Sequence, residues 1–134
     1  NKNTVKGFHI QTHPFTEAKL VVPVEGEFVW VSIDVRSTSL TYGKLTETRL
    51  RPGNNAAYFA SRGFAHGFMN FDDNTQILIA VDNDYSEVHG VGFKWDDIEI
   101  DYHWPLQENY PIILKDEHRN YGSFAEFKEM WSGF

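Results

Sequence analysis

The chain has 134 residues, which fits one domain built around one core, so residues 1–134 are expected to form a single domain. A formal net charge of −7 argues against a surface that coats the phosphate backbone of a nucleic acid, yet leaves room for a pocket taking one small phosphorylated ligand. With no cysteine, disulfides, thiolate metal sites and a cysteine nucleophile are all excluded, and a reducing, cytoplasmic location is expected.

The aromatic residues, 11 Phe, 6 Tyr and 4 Trp, weigh toward sheet. Lys6 to Gln11 reads as extended, with His9 and Gln11 on one face and Phe8 and Ile10 on the other. Lys19 to Val24 reads as a strand and Glu25-Gly26 as a turn. Phe28 to Val35 is the strongest strand: Val29, Val31, Ile33 and Val35 share one face, and Phe28, Trp30, Ser32 and Asp34 share the other. Ser37 to Gly43 reads as a loop, Lys44 to Leu50 as a strand and Arg51 to Asn55 as a turn. Ala56–Phe59, Phe64–Phe71 and Gln76–Asp82 follow as strands, with Asp72-Asp73-Asn74 as a hairpin turn joining the last two. Short strands at this spacing predict an antiparallel sandwich or barrel.

Only the tail predicts a helix. Ser123 is its N-cap and Glu126 stands in the capping-box position; Phe124, Phe127 and Trp131 follow at helical spacing, and Gly133 closes the pattern. No apolar run approaches the ~20 residues that cross a bilayer, and no signal-peptide pattern opens the chain, so no membrane partner is expected.

Of six histidines, His9 and His13 stand four apart, a ligand spacing that suits a helix, but the residues around Pro14 do not read as helical. No metal site is expected. His9 and Gln11 could offer an imidazole and an amide to a pocket, or lie on an edge strand at the surface. Arg62 to Phe68 is the other dense cluster, in which His66 is either a ligand contact or a hydrogen-bonded core histidine. Trp95-Asp96-Asp97 and Leu114-Lys115-Asp116 add acids that read as exposed.

Taken in order, these clusters resemble the dTDP-4-dehydrorhamnose 3,5-epimerase family, from about Val5 to about Asp116. Lys6-Gly7-Phe8-His9-Ile10-Gln11 resembles the family's Arg-Gly-Leu-His-Tyr-Gln. Ala18-Lys19-Leu20-Val21 resembles its Gly-Lys-Leu-Val strand, and Gly26-Glu27 through Asp34-Val35-Arg36 its Gly-Glu-Val strand ending in Asp-Ile-Arg. Gly63-Phe64-Ala65-His66-Gly67-Phe68 is the family signature, and Trp95-Asp96-Asp97, Trp104-Pro105 and Leu114-Lys115-Asp116 match its closing motifs.

The resemblance implies an all-β fold, a cupin-type antiparallel β-barrel (jelly roll) with a short C-terminal helix here, in a homodimer that needs no metal and no cofactor. It implies a nucleotide-linked 4-keto-6-deoxyhexose as ligand, with a proton removed next to the C4 ketone and inversion at C3, C5 or both. By resemblance His9 is the base and Asp116 the carboxylate that orients it. Lys19 stands near the keto oxygen, His66 is the pocket histidine, and Lys6 replaces an arginine facing the diphosphate. Gln11, Tyr85 and Lys115 complete the expected substrate contacts.

Three departures accompany the match. Ile79 stands where the family has a tyrosine acid, and Trp30 where it has an aspartate. The family's N-terminal strands, which cross to the partner, precede the first matched stretch, so the chain is expected to be either trimmed or naturally short. A keto-sugar isomerase moving the carbonyl between C4 and C3, and a catalytically silent sugar-nucleotide-binding paralogue, are the alternatives.

Overall fold

The computed structural model describes residues 1–54 and 56–131. Five strands lie side by side in the order β4 (Leu45–Leu50), β3 (Phe28–Asp34), β6 (Phe64–Asn70), β1 (Thr4–Gln11), β8 (Gly90–Phe93). Neighbours in this sheet are antiparallel, and β9 (Ile113–Leu114) adds a short parallel pairing to the start of β1. A second sheet has the order β5 (Tyr58–Ala60), β2 (Lys19–Glu25), β7 (Gln76–Val81).

The alternation read in Phe28–Val35 divides two cores rather than a core from solvent, for every residue of β3 is buried. Phe28 and Trp30 join Val21 and Leu50, with Tyr58, Phe68 and Ile77 against them, so this cluster fills the space between the two sheets. Val29, Val31 and Ile33 face the other way, into a cluster with Phe8, Phe93, Trp104, Phe124 and Phe127. Each large apolar side chain fully buried there contributes roughly 1.5–3 kcal/mol.

The C-terminal segment covers that second face through α2 (Phe124–Met130), which forms with the expected capping box. Asp97, expected to be exposed, is instead buried and accepts a hydrogen bond from the Phe124 backbone N–H at 3.0 Å, tying the helix start to the sheet. Gly133 lies outside the described residues, as does Asn55 of the expected turn.

Asp34 explains why Asp34-Val35-Arg36 is structural. Its carboxylate takes two hydrogen bonds from the Arg36 guanidinium, at 2.9 and 2.7 Å, and one each from the Ser39 and Thr41 hydroxyls at 2.6 Å. The Arg36 contact above all holds this carboxyl well below the usual range, and so pins the loop after β3.

Three expectations are corrected. Asp72–Asn74 is not a hairpin turn, because β6 belongs to the large sheet and β7 to the small one. The turn instead passes the chain between sheets, with Asp72 accepting from the Glu27 backbone N–H at 2.9 Å. The strand expected at Ala56–Phe59 sits at Tyr58–Ala60 instead. The tail is not the only helix: α1 (Asp116–Arg119) and one 3-10 turn at Glu87–His89 are also present. Among the described residues, no helix is long and apolar enough to cross a membrane.

Candidate functional site

Lys6 and His9 are three apart, which would put them on opposite faces of a regular strand. Yet Lys6 pairs with Phe68 and His9 with His66, so three steps on β1 match two on β6. One extra residue is taken up in a β-bulge. Directly opposed residues share a face, as do Phe68 and His66, so Lys6, His9 and His66 all point the same way. Trp30 opposes Phe68 and Ser32 opposes His66, which identifies this face as the one turned toward the small sheet. Lys19 enters from that facing sheet, two residues from the fully buried Val21 and therefore on the same inward side.

The result is two cations and two imidazoles in a partly dry interior. Burial above all, then Lys6, Lys19 and His118, pushes His9 down to about 4, with Glu117 opposing. Burial, Lys19, His9 and Lys6 push His66 down to about 3. Both rings are therefore neutral at pH 7. Burial, Lys19 and Lys115 also lower the Lys6 ammonium, against Glu117 and Glu17. Lys19 is ion-paired to Glu17, and both side chains are largely buried. Lys6 has no such partner among the described residues. The arrangement can take up a proton at His9, stabilise developing negative charge through Lys19, and attract an anion through Lys6.

Close packing of backbone makes this possible. A Cβ on Gly67 would stand 2.9 Å from the Lys6 carbonyl oxygen and 3.0 Å from the Trp104 ring, so the signature glycine lets β6 and β1 pack under that indole. A Cβ on Gly92, the partner of His9 across β8, would meet the Phe8 carbonyl oxygen at 2.1 Å and Tyr121 at 2.6 Å. Tyr121 therefore lies over the strand beside His9.

The other expected site residues are placed differently. Asp116 does not meet His9: it opens α1 with its side chain 98% exposed, 3.9 Å from Arg119. The short helix turns His118 inward instead, with its Nδ1 buried and without a partner among the described residues. Gln11 shares the His9 face but offers no free amide. Its Nε2 donates to the carbonyls of Phe15 and Asp84, and its Oε1 accepts from the Ser86 N–H at 2.6 Å. It is a brace for the 82–86 loop. Tyr85 on that loop is exposed, near enough to Tyr121 to influence its hydroxyl, and Lys115 is exposed close to Lys6. Ile79 lies opposite Val21 on the inward face of β7.

Four residues near the site were not singled out for it: Glu17, Ser32, His118 and Tyr121. Glu17 could have been found from its two-residue spacing to Lys19, and Ser32 from its place on the Trp30 face. The other two had no signal, since nothing in the sequence marks which side of a four-residue helix, or of the chain just after it, faces inward. Among the described residues, no three His, Asp or Glu side chains gather as a metal cluster.

Comparison with known proteins agrees with the fold. The family profile described as dTDP-4-dehydrorhamnose 3,5-epimerase matches residues 1–126. A dTDP-4-dehydrorhamnose 3,5-epimerase of Sinorhizobium fredii (strain NBRC 101917 / NGR234) is 42% identical over 113 residues, covering 84% of this chain and 58% of the relative. The crystal structure of the Bacillus anthracis str. Ames enzyme of the same name, with TDP and PPi bound, superposes with a TM-score of 0.85 at 31% identity, covering 92% of this chain and 69% of that one. A 4-keto-6-deoxy sugar epimerase of Streptomyces spheroides gives a TM-score of 0.88 at 28% identity, covering 96% and 63%. The chain thus spans about three fifths of the Sinorhizobium relative's length. On fold, profile and identity together, the chain, with its cupin-type antiparallel barrel, belongs to the dTDP-4-dehydrorhamnose 3,5-epimerase family.

Proposed function

We propose that the chain binds a nucleotide-linked 4-keto-6-deoxyhexose and removes a proton from carbon next to its C4 ketone, the first half of an epimerisation at C3 or C5. The observation that carries this reading is the convergence of His9 with Lys6 and Lys19 on one inward face. A neutral imidazole takes the proton, and the Lys19 ammonium, held by Glu17, balances the enolate oxygen. Lys6, without an ion-pair partner among the described residues, and Lys115 at the rim meet the diphosphate; lysine supplies charge there without the two-pronged fit of arginine. His66 contacts the sugar and Tyr85 lies at the rim. The TDP and PPi bound to the Bacillus relative, and the 4-keto-6-deoxy sugar that the Streptomyces relative is named for, support the same ligand class here.

Ile79 has no proton to deliver to the far face, so exchange is expected to outrun inversion. Incubating the protein with dTDP-4-keto-6-deoxyglucose in deuterium oxide and following C3 and C5 by NMR tests this. Deuterium uptake supports the reading, and its loss in His9→Gln assigns the base. Ligand binding with no exchange would make the chain a silent binding paralogue instead, the reading that Ile79 favours.

The protein is further read as one barrel domain over residues 1–134 that works as a homodimer in the cytoplasm. The outer face of the β5-β2-β7 sheet supports the dimer. Leu20, Val24, Phe59 and Leu78 lie exposed there, an apolar surface of the kind that marks a protein contact.

A further inference from the structure

Ser32 and His66 stand directly opposite each other on β3 and β6, and both are buried. Ser32 Oγ lies 2.9 Å from His66 Nδ1. The distance alone leaves open which atom donates. A count of partners decides it. Among the described residues the Ser32 hydroxyl has no other hydrogen-bond partner, so its hydrogen has one acceptor within reach, the Nδ1 lone pair. Were Nδ1 to carry the proton and donate, the hydroxyl hydrogen would be buried and unsatisfied, at a cost of about 1–3 kcal/mol. The ring is also held in place: Trp30 packs against it with centroids 5.4 Å apart, and Phe68 stacks on the indole's flank. Burial above all, then Lys19, His9 and Lys6, opposes protonation of the imidazole, so only the two neutral tautomers compete.

We infer that Ser32 is a positioning residue that locks His66 as the Nε2–H tautomer, so that His66 offers a neutral N–H to an oxygen of the bound sugar. The last clause rests on the function proposed above; the tautomer does not. A neutral donor suits a site already rich in cations. It can bond to a keto or hydroxyl oxygen without adding a third positive charge beside Lys6 and Lys19, and it returns no proton to solvent when the ligand leaves. The role also accounts for a serine next to Trp30 on the inward face of β3.

The tautomer can be read without turnover. Long-range 1H–15N correlation spectra of the uniformly labelled full chain at neutral pH, with the His66 signals assigned by their absence in His66→Gln, are expected to have Nδ1 unprotonated and Nε2 protonated. Ser32→Ala should move the ring to a mixture of tautomers or to Nδ1–H, and Ser32→Thr, which keeps the hydroxyl, should restore the wild-type pattern. An Nδ1–H ring in the wild type overturns the inference even if neither variant folds, and so does a pattern unchanged by Ser32→Ala. Where deuterium exchange into the keto sugar is measurable, Ser32→Ala should slow it roughly tenfold at saturating ligand, with Ser32→Thr close to wild type. An unchanged rate with an altered tautomer would refute the sugar contact. An absence of exchange in the wild type would instead count against the proposed function while leaving the tautomer result standing.

Discussion

His9 carries no hydrogen-bond partner on either ring nitrogen among the described residues, and burial above all, then Lys6, Lys19 and His118, lowers its basicity. A diphosphate bound beside Lys6 would offset the first of these charges, so His9 becomes a stronger base once ligand is present. The acid limb of the exchange rate under kcat/KM conditions should therefore fall near pH 4, and that under saturating ligand at higher pH; pH profiles of the two check this. Lys6→Ala should weaken nucleotide-sugar binding about 10- to 100-fold by calorimetry, and Lys6→Arg should largely retain it. Folding is linked to the same histidines. Both are neutral in the fold, with values of about 4 and about 3, while the unfolded chain protonates them near 6.5. Between pH 6.5 and those values the unfolded state holds more protons, so stability is lost as pH falls. The slope reaches about 1.4 kcal/mol per pH unit for each histidine, and urea unfolding across pH 3–7 should be flatter in His66→Gln.

Among elements, the strands and the last helix follow from local pattern because each is specified by its own residues. The Ser123–Glu126 box is an instance: both hydrogen bonds form, at 3.2 and 2.6 Å. Ser123→Ala should cost about 1 kcal/mol in thermal unfolding. What local pattern does not contain is which strand a turn leads to. Asp72–Asn74 has turn chemistry, but the same chemistry serves a hairpin or a crossing between sheets, and only the sheet partners differ. The site divides along the same line. His9, Lys19 and His66 lie on strands, where alternation settles the direction of each side chain. Asp116 follows a strand of two residues and starts a helix of four, too short for any period to set its orientation, and His118 turned inward in its place. Gln11 lies on the face that alternation assigns to it, but backbone groups 4, 73 and 75 residues away in sequence occupy its amide. Gly92→Ala should be severely destabilising, since a methyl there meets a backbone oxygen that cannot step aside.

At the scale of the whole molecule, the two sheets differ in how they are covered. The large one is sandwiched between the small sheet and the C-terminal segment, whereas the small one shows Leu20, Val24, Phe59 and Leu78 to the outside. If this surface joins two copies, Phe59→Asp with Leu78→Lys should convert the dimer to a monomer by light scattering while leaving far-ultraviolet dichroism unchanged. The small sheet also carries Lys19 and Ile79 on its inner face, so loss of the dimer should weaken ligand binding only if the contact holds that sheet in place.

The bulge in β1 amounts to a correction of parity. A strand sorts its side chains as odd and even, and Lys6 and His9 belong to opposite classes until one residue between them is taken out of the count. Removing Gly7 would leave the two in the same class on a straight strand. Adding one glycine after Gly7 would set them four apart, the same class again on a straight strand, but with Lys6 still opposite Phe68 it would carry the histidine past His66 to a place opposite Phe64. Of two changes equal in size, the deletion should keep ligand binding and the insertion should abolish it.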